Sequence, residues 1–129
     1  MTRVLLVEDS VDVLYMLQLE LERMGYEVVA AADANSALEA ALRNRPDVIV
    51  SDLGMPGVDG FEFIKRVRAI PNLALIPAIA LTGTAQERDF QQAFASGFTT
   101  YLVKPVDASD LTKKIDELAS SRRLRRKAS

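Results

Sequence analysis

The feature that most limits what this chain can fold into is an alternation repeated five times: a short apolar run, then a longer stretch whose apolar residues recur at helical spacing. RVLLV (Arg3 to Val7) leads into a stretch with Leu14, Leu17, Leu21 and Met24 on one face, stopped by Gly25. EVVAA (Glu27 to Ala31) precedes a helix expected to start near Asn35 or Ser36, with Leu38, Ala41 and Leu42 inward and Pro46 ending it. DVIVS runs up to Asp52 and precedes a helix carrying Phe61, Ile64 and Val67. IPAIAL (Ile76 to Leu81) precedes a fourth helix, for which Thr84 and Glu87 suit a capping box, Phe90, Ala93 and Phe94 form the inner stripe, and Gly97 is the stop. TTYLV (Thr99 to Val103) precedes the last helix, capped by Asp107 with Leu111, Ile115 and Leu118 inward.

The apolar runs are mostly continuous rather than alternating, which requires both faces of each strand to be covered. A parallel sheet flanked by helices satisfies that, so the chain reads as a doubly wound α/β domain of five units. No linker or second domain interrupts it. The expected division is one domain over residues 1–120 and a basic tail over 121–129.

Charge follows the same division. The 129 residues carry 16 basic and 18 acidic groups, but Arg122, Arg123, Arg125, Arg126 and Lys127 all lie in the tail. Setting those five aside leaves 11 basic against 18 acidic residues, a balance of −7 for the body. An acidic body argues against direct DNA binding by the domain. The tail reads most simply as a solvated extension of the last helix, with arginines at the negative end of its dipole, and partner or nucleic-acid binding is its second reading. No apolar stretch reaches the roughly 18 residues of a membrane span, and Met1-Thr2-Arg3 leads straight into a strand rather than a signal peptide. The expected location is cytoplasmic, without membrane attachment. The chain has no cysteine and no histidine. Thiolate chemistry and cysteine-ligated zinc are excluded, and any acid, base or metal ligand falls mainly to carboxylates, lysine and hydroxyls. Carboxylate oxygens favour hard ions such as Mg²⁺ or Ca²⁺.

In an open parallel sheet, ligands sit beyond the carboxyl ends of the strands, where the strand order reverses. The first strand ends in Glu8-Asp9, the third in Asp52, the fourth in Thr82 and the fifth in Lys104. The first and third strands are neighbours in this fold class, so three carboxylates converge. At about 5 Å and an effective dielectric of about 20, each pair repels by roughly 3 kcal/mol. A divalent cation with oxygen ligands and the Lys104 ammonium are the groups available to offset this. With metal and lysine on opposite sides, a phosphoryl group on Asp52 would be compensated, and the Thr82 hydroxyl would donate to one of its oxygens.

Four motifs in order, LLVEDS, SDLGMPGVDG, ALTG and YLVKPV, carry a family resemblance over residues 2 to 120. The chain resembles the receiver domains of two-component response regulators, of which the single-domain chemotaxis regulator is one. That resemblance implies a flavodoxin-like (βα)5 fold with strand order 2-1-3-4-5, and phosphorylation of Asp52 from a histidine kinase or phosphotransfer protein. It implies Mg²⁺ held by Glu8, Asp9, Asp52 and the Gly54 carbonyl, catalytic support from Lys104 and Thr82, and a switch through Thr82 and Tyr101. A cis Lys104-Pro105 bond and output through the face of the fourth helix, fifth strand and fifth helix are implied too. Gly54 lacks a side chain at a position that in this family influences how long the phosphate survives. Such a protein promotes its own phosphoryl transfer and dephosphorylation only; it is a switch and not an enzyme with an external substrate.

Singly, each feature has a plainer explanation. Asp52 suits a turn, Glu8 and Asp9 favour a helix N-terminus with Ser10 as cap, Thr82 is a loop hydroxyl, Lys104 a solvated charge and Tyr101 a packing aromatic. Two other functions compete. A Mg²⁺-dependent aspartyl-phosphate phosphohydrolase of haloacid-dehalogenase type also uses a strand-end aspartate, but requires a second two residues on, where Gly54 stands. A flavodoxin-type nucleotide binder needs hydroxyls and amides after the first strand, where VEDS would repel an anion.

Overall fold

The computed structural model describes residues 1–55 and 57–128, with side chains as far as Ser120. Ten elements alternate strictly: β1 (Arg3–Val7), α1 (Val11–Arg23), β2 (Glu27–Ala31), α2 (Ala34–Arg43), β3 (Val48–Asp52), α3 (Gly60–Ala69), β4 (Ala78–Thr82), α4 (Glu87–Ser96), β5 (Thr100–Val103) and α5 (Ala108–Ala128). The strands form one sheet in the order β2-β1-β3-β4-β5, every neighbouring pair parallel. The flavodoxin-like expectation therefore holds, with its reversal of strand order between β1 and β3.

Alternate residues of the central strands feed two separate cores, as the period of two dictates. Leu5, Val7, Ile49, Ala78 and Ala80 meet α2, α3 and α4. Val4, Leu6, Val50, Ile79 and Leu81 meet Leu17 and Leu21 of α1 and Leu111 and Ile115 of α5. The central strands β3 and β4 are buried throughout, whereas the edge strands β2 and β5 are largely half-exposed.

Several expected stripes are corrected. In α2 the buried residues are Ala34, Ala37, Ala40 and Ala41, while Leu42 is exposed and Leu38 packs only at the margin. Small residues at spacings of three and four define a face as regularly as large ones do. The helix also begins earlier, at Ala34, because Asp33 accepts from the Ser36 amide as N-cap. Met24 lies past the end of α1, where Gly25 turns the chain at φ +95°, and is exposed. Phe63 is fully buried in α3, and Phe61 packs at the core margin. Phe94 of α4 is 47% exposed, and Phe98 beyond the helix is buried instead.

The caps differ too. No Thr84–Glu87 capping box forms: Gln86 is the N-cap, and Thr84 Oγ1 accepts from the Gln86 amide while donating to Asp89. Ser10 occupies the N-cap of α1 without a side-chain capping bond. Asp107 does cap the start of α5, accepting from the Ser109 amide at 2.8 Å. Lys104-Pro105 is cis. The helical backbone of α5 runs on to Ala128, but the side chains of the expected basic tail lie outside those described.

Candidate phosphoacceptor site

Strands β3 and β4 end one residue later than their apolar runs, so Asp52 and Thr82 are the last residues of central strands. Pairing holds both: Asp52 stands beside Leu81, and Thr82 beside Val103. The chain beyond each strand is tied back to the sheet, Glu8 by its amide to Ala31 O, Leu53 to Leu81 O, and Lys104 to Thr82 O. Five expected residues are thereby brought to one end of the sheet. Glu8, Asp52 and Thr82 are buried, at 1%, 5% and 3% exposure.

Carboxylate oxygens of Glu8, Asp9 and Asp52 lie within 4.8 Å of one another. Lys104 Nζ sits 3.1 Å from Glu8 Oε2 and 3.1 Å from Asp52 Oδ2. Lysine therefore bridges two carboxylates, and Asp9 is the most open of the three acids, without an ion-pair partner among the described residues. The second oxygen of Asp52 accepts from the Gly54 amide at 3.2 Å, so both oxygens are oriented. Glu8 Oε1 accepts from the Ser10 amide at 3.2 Å.

Burial pushes the Glu8 carboxyl up, and the negative Asp52 adds to this; the Ser10 amide and Lys104 pull the other way without cancelling it. Burial alone would lower the Lys104 amine, but its hydrogen bonds to Asp52 and Glu8 outweigh that and hold it raised. Lys104 is thus firmly cationic. One ammonium among three carboxylates leaves an excess of negative charge on an all-oxygen donor set, which fits a hard divalent ion such as Mg²⁺.

Beyond β3 the start of α3 folds back against the end of the strand. Gly57 adopts φ +76°, Asp59 caps α3 by accepting from the Glu62 amide, and the Gly60 amide returns to Leu53 O at 3.0 Å. Gly60 packs directly on the Asp52 backbone: a Cβ there would lie 2.3 Å from Asp52 O. This approach between two elements has no signature in the local sequence.

Thr82 and Tyr101 both make contacts away from the Asp52 carboxylate. The Thr82 hydroxyl donates to Thr84 O and accepts from the Thr84 amide, both at 3.2 Å. The Tyr101 ring stacks on Phe90 with centroids 3.8 Å apart and meets the edge of Phe94 at 5.9 Å. Sequence reasoning missed the links from these residues to α4, through Thr84–Asp89 and Phe90–Tyr101, because each joins an exposed or half-exposed residue to another without any motif.

Comparison with known proteins agrees with this architecture. The family model for the response regulator receiver domain matches residues 4–116. An uncharacterized 14.6 kDa protein of Leptolyngbya boryana is 44% identical over 114 residues, covering 88% of this chain and 87% of that protein. The chemotaxis protein CheY4 of Vibrio cholerae superposes with a TM-score of 0.88 at 39% identity, over 92% of this chain and 98% of that one. The receiver domain of sensor histidine kinase PA1611 from Pseudomonas aeruginosa PAO1, solved with a magnesium ion in its active-site cleft, superposes at 0.85 with 31% identity, over 92% and 98%. The chain spans about half the length of several other curated relatives that are described as transcriptional regulators. With the five strand-end residues in place and the match running almost end to end, the chain belongs to the response regulator receiver domain family of two-component signalling.

Proposed function

We propose that this chain is a phosphoacceptor switch in which Asp52 receives a phosphoryl group from a histidine kinase or histidine phosphotransfer protein. The observation that carries the reading is the arrangement of Lys104 Nζ 3.1 Å from both Glu8 and Asp52 at the mouth of the sheet. Asp52 is recessed, so its donor must protrude: a phosphoimidazole on a helix, or a small acyl phosphate, has that shape. The Asp52 carboxylate forms the new O–P bond as the donor's P–N or P–O bond breaks, and the leaving group takes up the proton it needs from solvent.

Glu8, Asp9, Asp52 and the Gly54 carbonyl are the residues that would hold Mg²⁺. The ion would neutralise charge on the transferring oxygens. Lys104 stays beside the phosphoryl group as its counter-charge, and the Thr82 hydroxyl is the nearby donor for a further oxygen. Tyr101 then reports the change at the surface. Residues 1–120 form the switch, residues 121–129 a basic extension, and output is by binding through α4, β5 and α5. PA1611, a sensor histidine kinase with such a receiver, and the longer transcriptional regulators among the relatives support placement in a phosphorelay.

Treatment with acetyl phosphate and Mg²⁺ tests the assignment by mass. The wild-type chain should gain one phosphoryl group and Asp52→Asn none; equal labelling of the two proteins sinks it.

A further inference from the structure

The two ends of α4 are held in different ways. At its C-terminal end the half-buried Arg68 of α3 donates through Nε and Nη2 to Gly97 O at 2.9 and 2.7 Å, and through Nη1 to Ala74 O at 3.1 Å. No carboxylate pairs with Arg68 among the described residues, so its charge serves backbone carbonyls alone. Gly97 makes this possible: it adopts φ +128°, and a Cβ there would lie 2.8 Å from Arg68 Cγ. Several bonds to rigid backbone make that end a fixed point.

The N-terminal end has no such support. Its N-cap, Gln86, provides no side-chain bond. Instead a chain of hydrogen bonds runs from the end of β4: Thr82 Oγ1 to Thr84 O at 3.2 Å, then Thr84 Oγ1 to Asp89 Oδ2 at 2.8 Å in the helix's first turn. A hydroxyl has one proton to give. Any acceptor on the Asp52 side that takes the Thr82 proton removes it from Thr84 O. An open cleft of about 210 Å³, lined by Gly54, Phe61, Thr82, Thr84 and Asp89, gives this loop room to move. Phe90, next to Asp89, is the residue stacked on Tyr101.

We propose that Thr84 and Asp89 form a latch holding the first turn of α4 to the Thr82 hydroxyl, with Arg68–Gly97 as the pivot at the other end. Release of the latch swings the Phe90 end of the helix and uncovers Tyr101. Thr84 and Asp89 are positioning residues that touch neither donor nor metal. The latch is exposed and hence weak, which suits a device that must be opened by a modest difference in affinity between two states. Only the trigger rests on the phosphoacceptor reading; the latch itself is measurable without phosphate.

The test is amide hydrogen exchange at Asp89 and Phe90, whose N–H groups bond to Gln86 O. Without phosphate, Thr84→Val and Asp89→Ala should each speed exchange there by about twofold to tenfold, the range one net hydrogen bond commands. The amides of Gly97 and Phe98 should not change. Asp89→Asn, whose amide oxygen still accepts, should stay near wild type, and the Thr84→Val/Asp89→Ala double variant should be no faster than the faster single one. Wild-type rates in Thr84→Val, or multiplying effects in the double variant, overturn the latch; Asp89 would then act only through the helix dipole. Beryllofluoride with Mg²⁺, a phosphoryl stand-in, should speed the same two amides in the wild type and leave Thr84→Val little changed. If beryllofluoride alters no signal anywhere, the phosphoacceptor reading fails while the latch stands on the phosphate-free rates.

Discussion

The two ends of the sheet treat charge in opposite ways. At the amino ends, polar groups are exposed or half-exposed and satisfy one another: the Arg3 amide donates to Asp47 at 2.8 Å, the Arg3 side chain pairs with Glu27, and Arg45 Nε reaches Asn72 O at 2.8 Å. At the carboxyl ends, two carboxylates are almost fully buried beside a third, with one lysine for all three. The first arrangement closes the edge of a fold. The second holds buried charge that the protein does not itself balance, which is costly for stability and is the arrangement that the proposed phosphoacceptor role calls for.

The largest effect should follow from removing Lys104, the cation paired with the buried carboxylates among the described residues. Lys104→Met leaves Glu8 and Asp52 facing each other, and should cost about 2–3 kcal/mol, below the full value for a buried pair because the lysine side chain is 32% exposed. Arg3→Ala at the other end should hardly move the urea midpoint, since surface ion pairs contribute little. Equal losses in the two variants would erase the contrast between the ends.

Magnesium probes the same imbalance with nothing removed. An ion that binds only the folded chain adds about 2.7 kcal/mol at a hundred times its dissociation constant. Thermal unfolding of the wild type should therefore shift upward with Mg²⁺, and Asp9→Ala should lose most of that shift while gaining metal-free stability from relieved repulsion. A shift of the same size in both proteins would move the ion elsewhere.

How much of this was legible beforehand follows from what each feature depends on. Strand positions and the five strand-end residues were legible because burial on both faces writes a continuous apolar run, and a charged residue ending such a run stands out: Glu8, Asp52 and Lys104 were all found this way. The α2 face was misread because alanine carries a stripe as well as leucine does. Met24 and Phe94 were misplaced because periodicity cannot say where a helix ends or which ring is kept for a neighbour such as Tyr101. The Gly60 approach to the Asp52 carbonyl, the Arg68–Gly97 bond and the Thr84–Asp89 bond depend on distances between elements, which no local pattern encodes.

A smaller effect than those of Lys104 and Mg²⁺ comes from the amino end, where Tyr26, just before β2, hydrogen-bonds Thr112 O at 3.2 Å and the Asp116 carboxylate in α5. Burial, reinforced by the bond to Asp116, raises the phenol well above its usual value. A raised folded-state value means that folding favours the protonated phenol. Its contribution is fully present below the unfolded tyrosine value of about 10 and is lost as pH rises toward the folded one. At neutral pH, Tyr26→Phe should cost about 1 kcal/mol, the net worth of a hydrogen bond. Above pH 10 the difference between the proteins should shrink, by at most about 1.4 kcal/mol per pH unit, because only the wild type gains from ionising on unfolding. Lysine titration in the same range is common to both and cancels. Urea midpoints of the pair from pH 7 to 11 measure this, and since Tyr26 is remote from Lys104 the curve should be unchanged by Mg²⁺. A pH-independent gap would show that folding does not favour the protonated Tyr26 phenol, and a Mg²⁺-dependent one would show that the two ends of the sheet are not separate.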